Sequence, residues 1–322
     1  MTVKFAIVGT GNIATTFVED AEHVETCQVV AVTSRSMNKA NEFAAKYNIE
    51  NSYDDFDKML KSDIDAVYIA LPHPYHYEYT IGALKAGKAV LCEKPFAMNY
   101  QEASEMIEVA KKNECLLMEA MWTRFFPAYD KMMALLNQIG QILFIKSDFG
   151  FRQDQIDPQG RLLNPKLGGG ALLDVGIYPI SIVRDIMKKD PIEIKCTSMK
   201  TPDGIDLMSV YNYRFYDGAL ACLYSAIQVQ TQTELFISGT KGSIHIPEFY
   251  CPEAINISLF DGSSEKYTFD KIGHGYTYEI KHFCDLYLKG SLESPKMPLN
   301  ETLAIMKLLD KIKDQIDYLK KV

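Results

Sequence analysis

A six-residue turn near the N-terminus limits the fold of this chain more than any other feature. Lys4 to Val8 reads as a short apolar strand. Gly9-Thr10-Gly11-Asn12-Ile13-Ala14 follows, and a helical stretch runs on to about Ala21. G-x-G-x-x-A between a strand and a helix is a dinucleotide-binding turn, and the flanking elements lift it above a bare motif match. Gly9 permits the tight turn, Gly11 lets backbone approach a pyrophosphate, and Ala14 is small enough for the helix to pack on its strand. The phosphates would meet the free N–H groups of the helix N-terminus. A plain strand–turn–helix is the alternative.

The second strand, Gln28 to Val32, decides between cofactors. A site preferring NAD carries an acid near its end to bond the ribose 2′-hydroxyl. Here the chain reads Thr33-Ser34-Arg35-Ser36. Ser34 offers a hydroxyl and Arg35 a planar fork suited to phosphate oxygens, so NADP is favoured, with NAD possible. A solvated surface arginine is the alternative.

Helices are expected over Asn38–Tyr47 and Asp54–Leu60, and a third strand over Asp65–Ala70. It ends in Leu71-Pro72-His73-Pro74-Tyr75-His76, a loop fixed by two prolines beside the crevice, where it would cover the cofactor. His76 starts a helix that Gly87 stops. It is either a base or a capping and packing residue, and the second is favoured.

Lys88-Ala89-Val90-Leu91-Cys92-Glu93-Lys94-Pro95 is a buried strand stopped by two charges and a proline. In an open α/β sheet ligands bind outside the carboxyl ends of strands, so Glu93 and Lys94 are expected to face the crevice. Asn99 with Glu102 reads as a capping box for a helix to Lys112. Cys115–Glu119 is a further strand. Trp122 follows it, at a crevice position or in the core.

The alternation of strand and helix then stops. A helix over Ala128–Leu136 leads into a strand-like stretch, Ile142–Arg152. Gly168-Gly169-Gly170 precedes an apolar helix to Met187, and its glycines are expected to allow close approach to a ligand. Within that helix Asp174 and Tyr178, four apart, share a face. From Ile192 to Phe269 strands alternate with turn signals, which suggests one large, mostly antiparallel sheet. Helices over Tyr276–Leu288 and Pro298–Leu319 close the chain, the last with a stripe of Leu303, Met306, Leu309, Ile312, Ile316 and Leu319. The fold class is α/β: a doubly wound parallel Rossmann sheet over 1–122, then an α+β domain with a large open sheet over 123–322, whose last helix is free to pack back on the first domain.

With 322 residues, 47% of them hydrophobic, the chain can bury a sizeable core. A net charge of −8 argues against a nucleic-acid protein. No apolar run approaches the roughly 18 residues of a membrane span, and the N-terminus does not read as a signal peptide. Seven cysteines scattered singly suggest reduced thiols and a cytoplasmic protein. His73 and His76 have no third ligand nearby in sequence, so no metal is expected.

Gly9-x-Gly11-x-x-Ala14, Glu93-Lys94-Pro95 and Gly168-Gly169-Gly170-x-Leu172-x-Asp174-x-Gly176 together resemble the Gfo/Idh/MocA oxidoreductases over essentially the whole length. Many members place a histidine four residues after the aspartate. This chain has Tyr178, which, with Met121-Trp122-Thr123-Arg124-Phe125, is similar to the branch of dimeric dihydrodiol dehydrogenases and NADP-linked D-xylose dehydrogenases. His73 stands where the family commonly carries asparagine. The resemblance implies a tyrosine acid/base with an active-site lysine, hence Lys94, Tyr178 and Asp174 as catalytic residues. It implies Gly9, Thr10, Gly11, Asn12, Ile13, Ser34, Arg35, Leu71, His73, His76, Glu93 and Lys94 about the cofactor, and Trp122, Arg124, Asp174 and Tyr178 about the substrate. A homodimer or higher oligomer through the large sheet is expected, because one face of that sheet needs a cover.

The expected reaction is hydride transfer between NADP and a secondary alcohol of a sugar, polyol or cyclic diol. An alcohol releases hydride as its proton leaves, so a base is required near the carbinol oxygen. Tyrosine, with a pKa of about 10, needs a neighbouring ammonium to serve, and Lys94 is the candidate. Asp174 would bond a second hydroxyl or orient Lys94. A non-catalytic NADP-binding regulator on the same fold is the alternative, and the intact Lys94 and Tyr178 argue against it.

Overall fold

A computed structural model describes residues 1–318, with side chains through Ile316; Leu319, assigned above to the last apolar stripe, lies outside the described residues. The chain divides into two compact units, one of residues 1–125 with 271–303, the other of residues 126–270 with those from 304 onward. The division after Phe125 lies beside the boundary expected at 122/123. Residues 271–303, placed by sequence in the second domain, belong to the first.

The first unit runs β1 (Val3–Val8), α1 (Asn12–Ala21), β2 (Cys27–Thr33), α2 (Met37–Tyr47), β3 (Asn51–Tyr53), α3 (Phe56–Leu60), β4 (Ala66–Ile69), α4 (His76–Lys85), β5 (Ala89–Glu93), α5 (Tyr100–Lys112) and β6 (Leu117–Ala120). Its six strands lie in the order β3-β2-β1-β4-β5-β6, every pair parallel. This is the doubly wound order, with its switch point between β1 and β4. The apolar runs of β1, β4 and β5 are buried because helices cover both faces of such a sheet. β3 has no apolar run to announce it. Side chains set the helix starts: Ser36 accepts from the Lys39 N–H, Asp55 from Lys58, and Asn99 from Glu102. The expected capping box at Asn99 is half met, since Glu102 reaches back to the Met98 N–H at 3.0 Å.

The second unit begins with α6 (Pro127–Leu135) and β7 (Ile142–Gly150). A π turn, Leu172–Gly176, opens the run that continues as α7 (Ile177–Met187). Seven strands follow: β8 (Glu193–Lys200), β9 (Asp206–Arg214), β10 (Leu220–Ala226), β11 (Leu235–Gly239), β12 (Gly242–Ile246), β13 (Ala254–Leu259) and β14 (Ser264–Thr268). With β7 they form one sheet in the order β14-β13-β12-β11-β7-β10-β9-β8, antiparallel except for β7 beside β10. One face is apolar and buried, with Ile145, Tyr211, Leu223, Ile237 and Ile244 on it. The other carries Lys146, Glu234 and His245, tied by contacts of 2.8 and 2.9 Å. The helical stretch Pro165–Met187 is long and apolar enough to span a membrane by length and composition, which the sequence reading did not expect; 83% of its most apolar window is buried, as a core helix is.

Two helices close the chain, α8 (Thr277–Leu288) and α9 (Leu299–Tyr318). α8 joins the first unit, where Asp20 of α1 accepts from the backbone N–H groups of His274, Tyr276 and Thr277 at 2.7–3.0 Å. A buried carboxylate from a distant helix thus does the work of a local cap. α9 starts in the first unit and ends in the second, where Gln315 bonds the backbone of Ile194 and Cys196.

Candidate active site

In the first unit a cavity of about 250 Å³ opens at the carboxyl ends of β1, β2 and β4. Gly9, Thr10 and Gly11 line it, and so do Ser34, Arg35 and Leu71. The two glycines are required for different reasons. Gly9 has φ +112°, and a Cβ there would stand 2.6 Å from the Ala70 carbonyl oxygen. Gly11 has an ordinary φ of −85°, and a Cβ there would meet nothing of the chain within 4 Å. Nothing in the protein's own packing demands glycine at 11, so the requirement fits a ligand. Gly11 is also the N-cap of α1 and gives no side-chain cap, which leaves the first-turn N–H groups to an anion. Asn12 and Ile13 form that turn and are exposed. Sequence reasoning missed Lys39 and Tyr79, which line the same cavity, as does Asp54. The signal for Lys39 was its place four residues after Arg35, at the start of a helix.

His73 sits half-buried in a short 3₁₀ turn, its ring 5.9 Å from that of His76. His76 itself is fully buried, with Nδ1 2.8 Å from the Pro95 carbonyl oxygen and Nε2 2.8 Å from that of Leu71. Burial holds its pKa below the ordinary value. It is a strut that ties the loop after β4 to the turn after β5, which corrects its assignment to the cofactor surface.

The Lys94 end of β5 also departs from expectation. Lys94 is partly exposed and its peptide bond to Pro95 is cis. Glu93 faces inward rather than into the crevice. It is 6% exposed, accepts from the Tyr68 hydroxyl at 2.5 Å, and accepts the Lys94 backbone N–H at 3.2 Å. Burial raises its pKa, against the pull of the Lys94 charge. Behind it Glu279 of α8 is fully buried with neither carboxyl oxygen hydrogen-bonded, and burial, then Glu93 and Asp20, push its pKa well up. Trp122 is 8% exposed and stacks on Tyr276 at 4.8 Å. Arg124 is 1% exposed and paired with Glu301 at 3.2 Å. Both were expected at the substrate, with the core as the alternative for Trp122; both are buried, against Tyr276 and Glu301 of the 271–303 segment that sequence had placed elsewhere.

The second unit gathers a different group. Tyr178, in the first turn of α7, is 5% exposed, with Phe149 5.2 Å and Tyr250 6.3 Å away between ring centres. Asp174 lies in the preceding π turn, and Arg161 is a partner of its carboxylate, Nη1 to Oδ1 2.5 Å. Gly169 and Gly170 serve the chain's own packing: a Cβ on Gly169 would stand 2.7 Å from the Leu162 carbonyl oxygen, and one on Gly170 2.2 Å from Asp206 Oδ1. Among the described residues no group of three or more His, Cys, Asp or Glu could hold a metal ion.

Two family models match the chain, an oxidoreductase family with an NAD-binding Rossmann fold over residues 3–121 and the GFO/IDH/MocA C-terminal domain over 131–245. The chain belongs to the Gfo/Idh/MocA oxidoreductase family. It is 35% identical over 329 residues to a trans-1,2-dihydrobenzene-1,2-diol dehydrogenase of Xenopus laevis, covering 98% of each chain. It is 33% identical over 320 residues to the scyllo-inositol 2-dehydrogenase (NADP(+)) of Bacillus subtilis (strain 168), covering 98% of this chain and 97% of the other. An aldose-aldose oxidoreductase from Caulobacter crescentus has the same fold, with TM-score 0.89 at 24% identity over 99% of this chain and 98% of that one. This Gfo/Idh/MocA protein is accordingly an NAD(P)-dependent dehydrogenase acting on hydroxyl groups. The residues fit the cofactor where the geometry tests it: open space over Gly11, uncapped N–H groups on α1, and the cations Arg35 and Lys39 in the lining of the same cavity.

Proposed function

We propose that the protein is an NADP-preferring dehydrogenase of vicinally hydroxylated rings or chains, such as sugars, inositols or cyclic diols, with Lys94 and Tyr178 carrying the proton transfer. The observation that carries the cofactor preference is the cavity lining directly after β2, where Ser34, Arg35 and Lys39 stand in place of an acid. NADP, when bound, supplies the hydride acceptor. The chain's part is to hold the pyrophosphate on α1, to hold the 2′-phosphate with Arg35 and Lys39, and to manage the alcohol's proton. Tyr178 takes that proton from the carbinol oxygen as phenolate, with Lys94 as the ammonium that a tyrosine base requires. The relatives' named substrates, a dihydrodiol and an inositol, support the alcohol class.

A panel of aldoses, inositols and trans-dihydrodiols with NADP and NAD tests the reading. Lys94→Met and Tyr178→Phe should each remove most turnover while cofactor affinity stays near wild type, and the double variant should be little worse than either. A melting-checked Tyr178→Phe enzyme with near-normal turnover would sink the acid/base assignment.

The polar face of the eight-stranded sheet, where Lys146, Glu234 and His245 stand, supports a homodimer as the cover such a face would take, and sedimentation at micromolar concentration is the check. Seven free cysteines support a reducing, cytoplasmic setting, which fractionation of the native host would test.

A further inference from the structure

Arg161 carries no signal in the sequence, yet its backbone is fixed on several sides. Leu162 is buried in a cluster with Ala171, Val175 and Ile227. The Gly170 N–H donates to the Leu162 carbonyl at 3.0 Å, and the Gly169 N–H to that of Asn164 at 3.1 Å. The Asn164 N–H donates back to Gly160 at 3.0 Å, so Arg161 lies inside a closed turn. From there its guanidinium reaches Asp174. The arginine side chain remains 57% exposed, while the carboxylate is 9% exposed. An ion pair with so open a partner adds little stability. A loop pinned this closely, for so small a gain, fits recognition better than folding.

We propose that Arg161 and Asp174 together read the second hydroxyl of a vicinal diol. A hydroxyl is both donor and acceptor. A carboxylate in contact with a guanidinium offers one acceptor and one donor side by side: Asp174 takes the hydroxyl hydrogen, and Arg161, whose Nη1 is on Asp174, donates to the oxygen through another of its N–H groups. Asp174 precedes Tyr178 by four residues, from the π turn into the first turn of α7, which sets the two on neighbouring turns of one helical run and suits oxygens on neighbouring carbons. A substrate with a single hydroxyl leaves the pair unmatched, and sites built to bond a hydroxyl reject analogues lacking it strongly. The inference rests on the reading of Tyr178 as the group that serves the first hydroxyl.

The test compares trans-1,2-cyclohexanediol with cyclohexanol as NADP-linked substrates. Wild type should favour the diol by at least about 100-fold in kcat/KM. Arg161→Met should cut that ratio by about 10–100-fold, mainly through the KM for the diol. Arg161→Lys should recover part of it, because a point charge replaces the planar fork. An unchanged ratio in Arg161→Met, or equal use of both alcohols by wild type, overturns the proposal while leaving the dehydrogenase reading in place. A wild type inactive on both alcohols and on the whole sugar, inositol and dihydrodiol panel is a different failure: it removes the underlying reading, and the diol reader with it.

Discussion

The Tyr68 hydroxyl and Glu93 Oε1 meet at 2.5 Å inside the first unit, and the fully buried Glu279 acts electrostatically on both. Glu279 has no hydrogen bond of its own, so it is held as the neutral acid. Its native pKa lies well above the roughly 4.3 of an unfolded glutamate. Below about pH 4 both states are protonated and the group has no effect. As pH rises the unfolded chain ionises first, and the native state loses stability until the native pKa is reached. Glu279→Gln cannot ionise in either state. Its advantage over wild type should be near zero at pH 4 and grow to about 1–3 kcal/mol by pH 8. Melting curves at the two values check this, and a variant that melts below wild type at pH 8 would show an ionised, paired Glu279 instead.

Gly9 and Gly11 should separate folding from binding. Gly9→Ala forces a side chain into a positive φ and against the Ala70 carbonyl, and should lower the melting temperature. Gly11→Ala meets no atom of the chain, so it should melt as wild type does and lose cofactor affinity. Dinucleotide titration beside calorimetry distinguishes them; a Gly11→Ala protein that binds normally would place the pyrophosphate elsewhere.

Arg35→Ala and Lys39→Ala should each weaken NADP by about 10-fold or more, since charge-assisted bonds to the 2′-phosphate are lost, and leave NAD nearly unchanged. Equal losses for both dinucleotides would remove the basis for NADP preference.

Arg124→Met leaves Glu301 without its buried partner and should cost about 3–5 kcal/mol of stability. KM for substrate should not move in the folded fraction. A raised KM at unchanged stability would return Arg124 to the substrate.

The strand–helix alternation, the glycine turn and the order of the first sheet were legible because each leaves a local mark: an apolar run, a small residue at a fixed spacing, a capping side chain. What escaped depends on partners distant in sequence. Trp122 and Arg124 read as crevice residues because Tyr276 and Glu301, which bury them, lie more than a hundred residues away in a segment whose unit the sequence did not reveal. Glu93 read as facing the ligand because nothing in an apolar strand marks Tyr68 as its partner. The glycines at 169 and 170 were given a ligand when their neighbours are Leu162, Asn164 and Asp206. Arg161 lies in a stretch without periodicity, and only the turn it occupies shows what it touches.

The position of β7 has a consequence for how the second sheet is made. It is the earliest strand of that sheet in the chain and one of its central ones. Phe144 pairs with Leu220 on one side and with Ser238 on the other. During synthesis β7 therefore emerges with both edges open, and its neighbours arrive only after α7, β8 and β9 have been made. Closing such distant pairings is slow, and an open apolar strand can join other chains in the meantime. Truncations ending between β9 and β10 should be the ones that aggregate, because they hold the middle of the sheet without either of its partners.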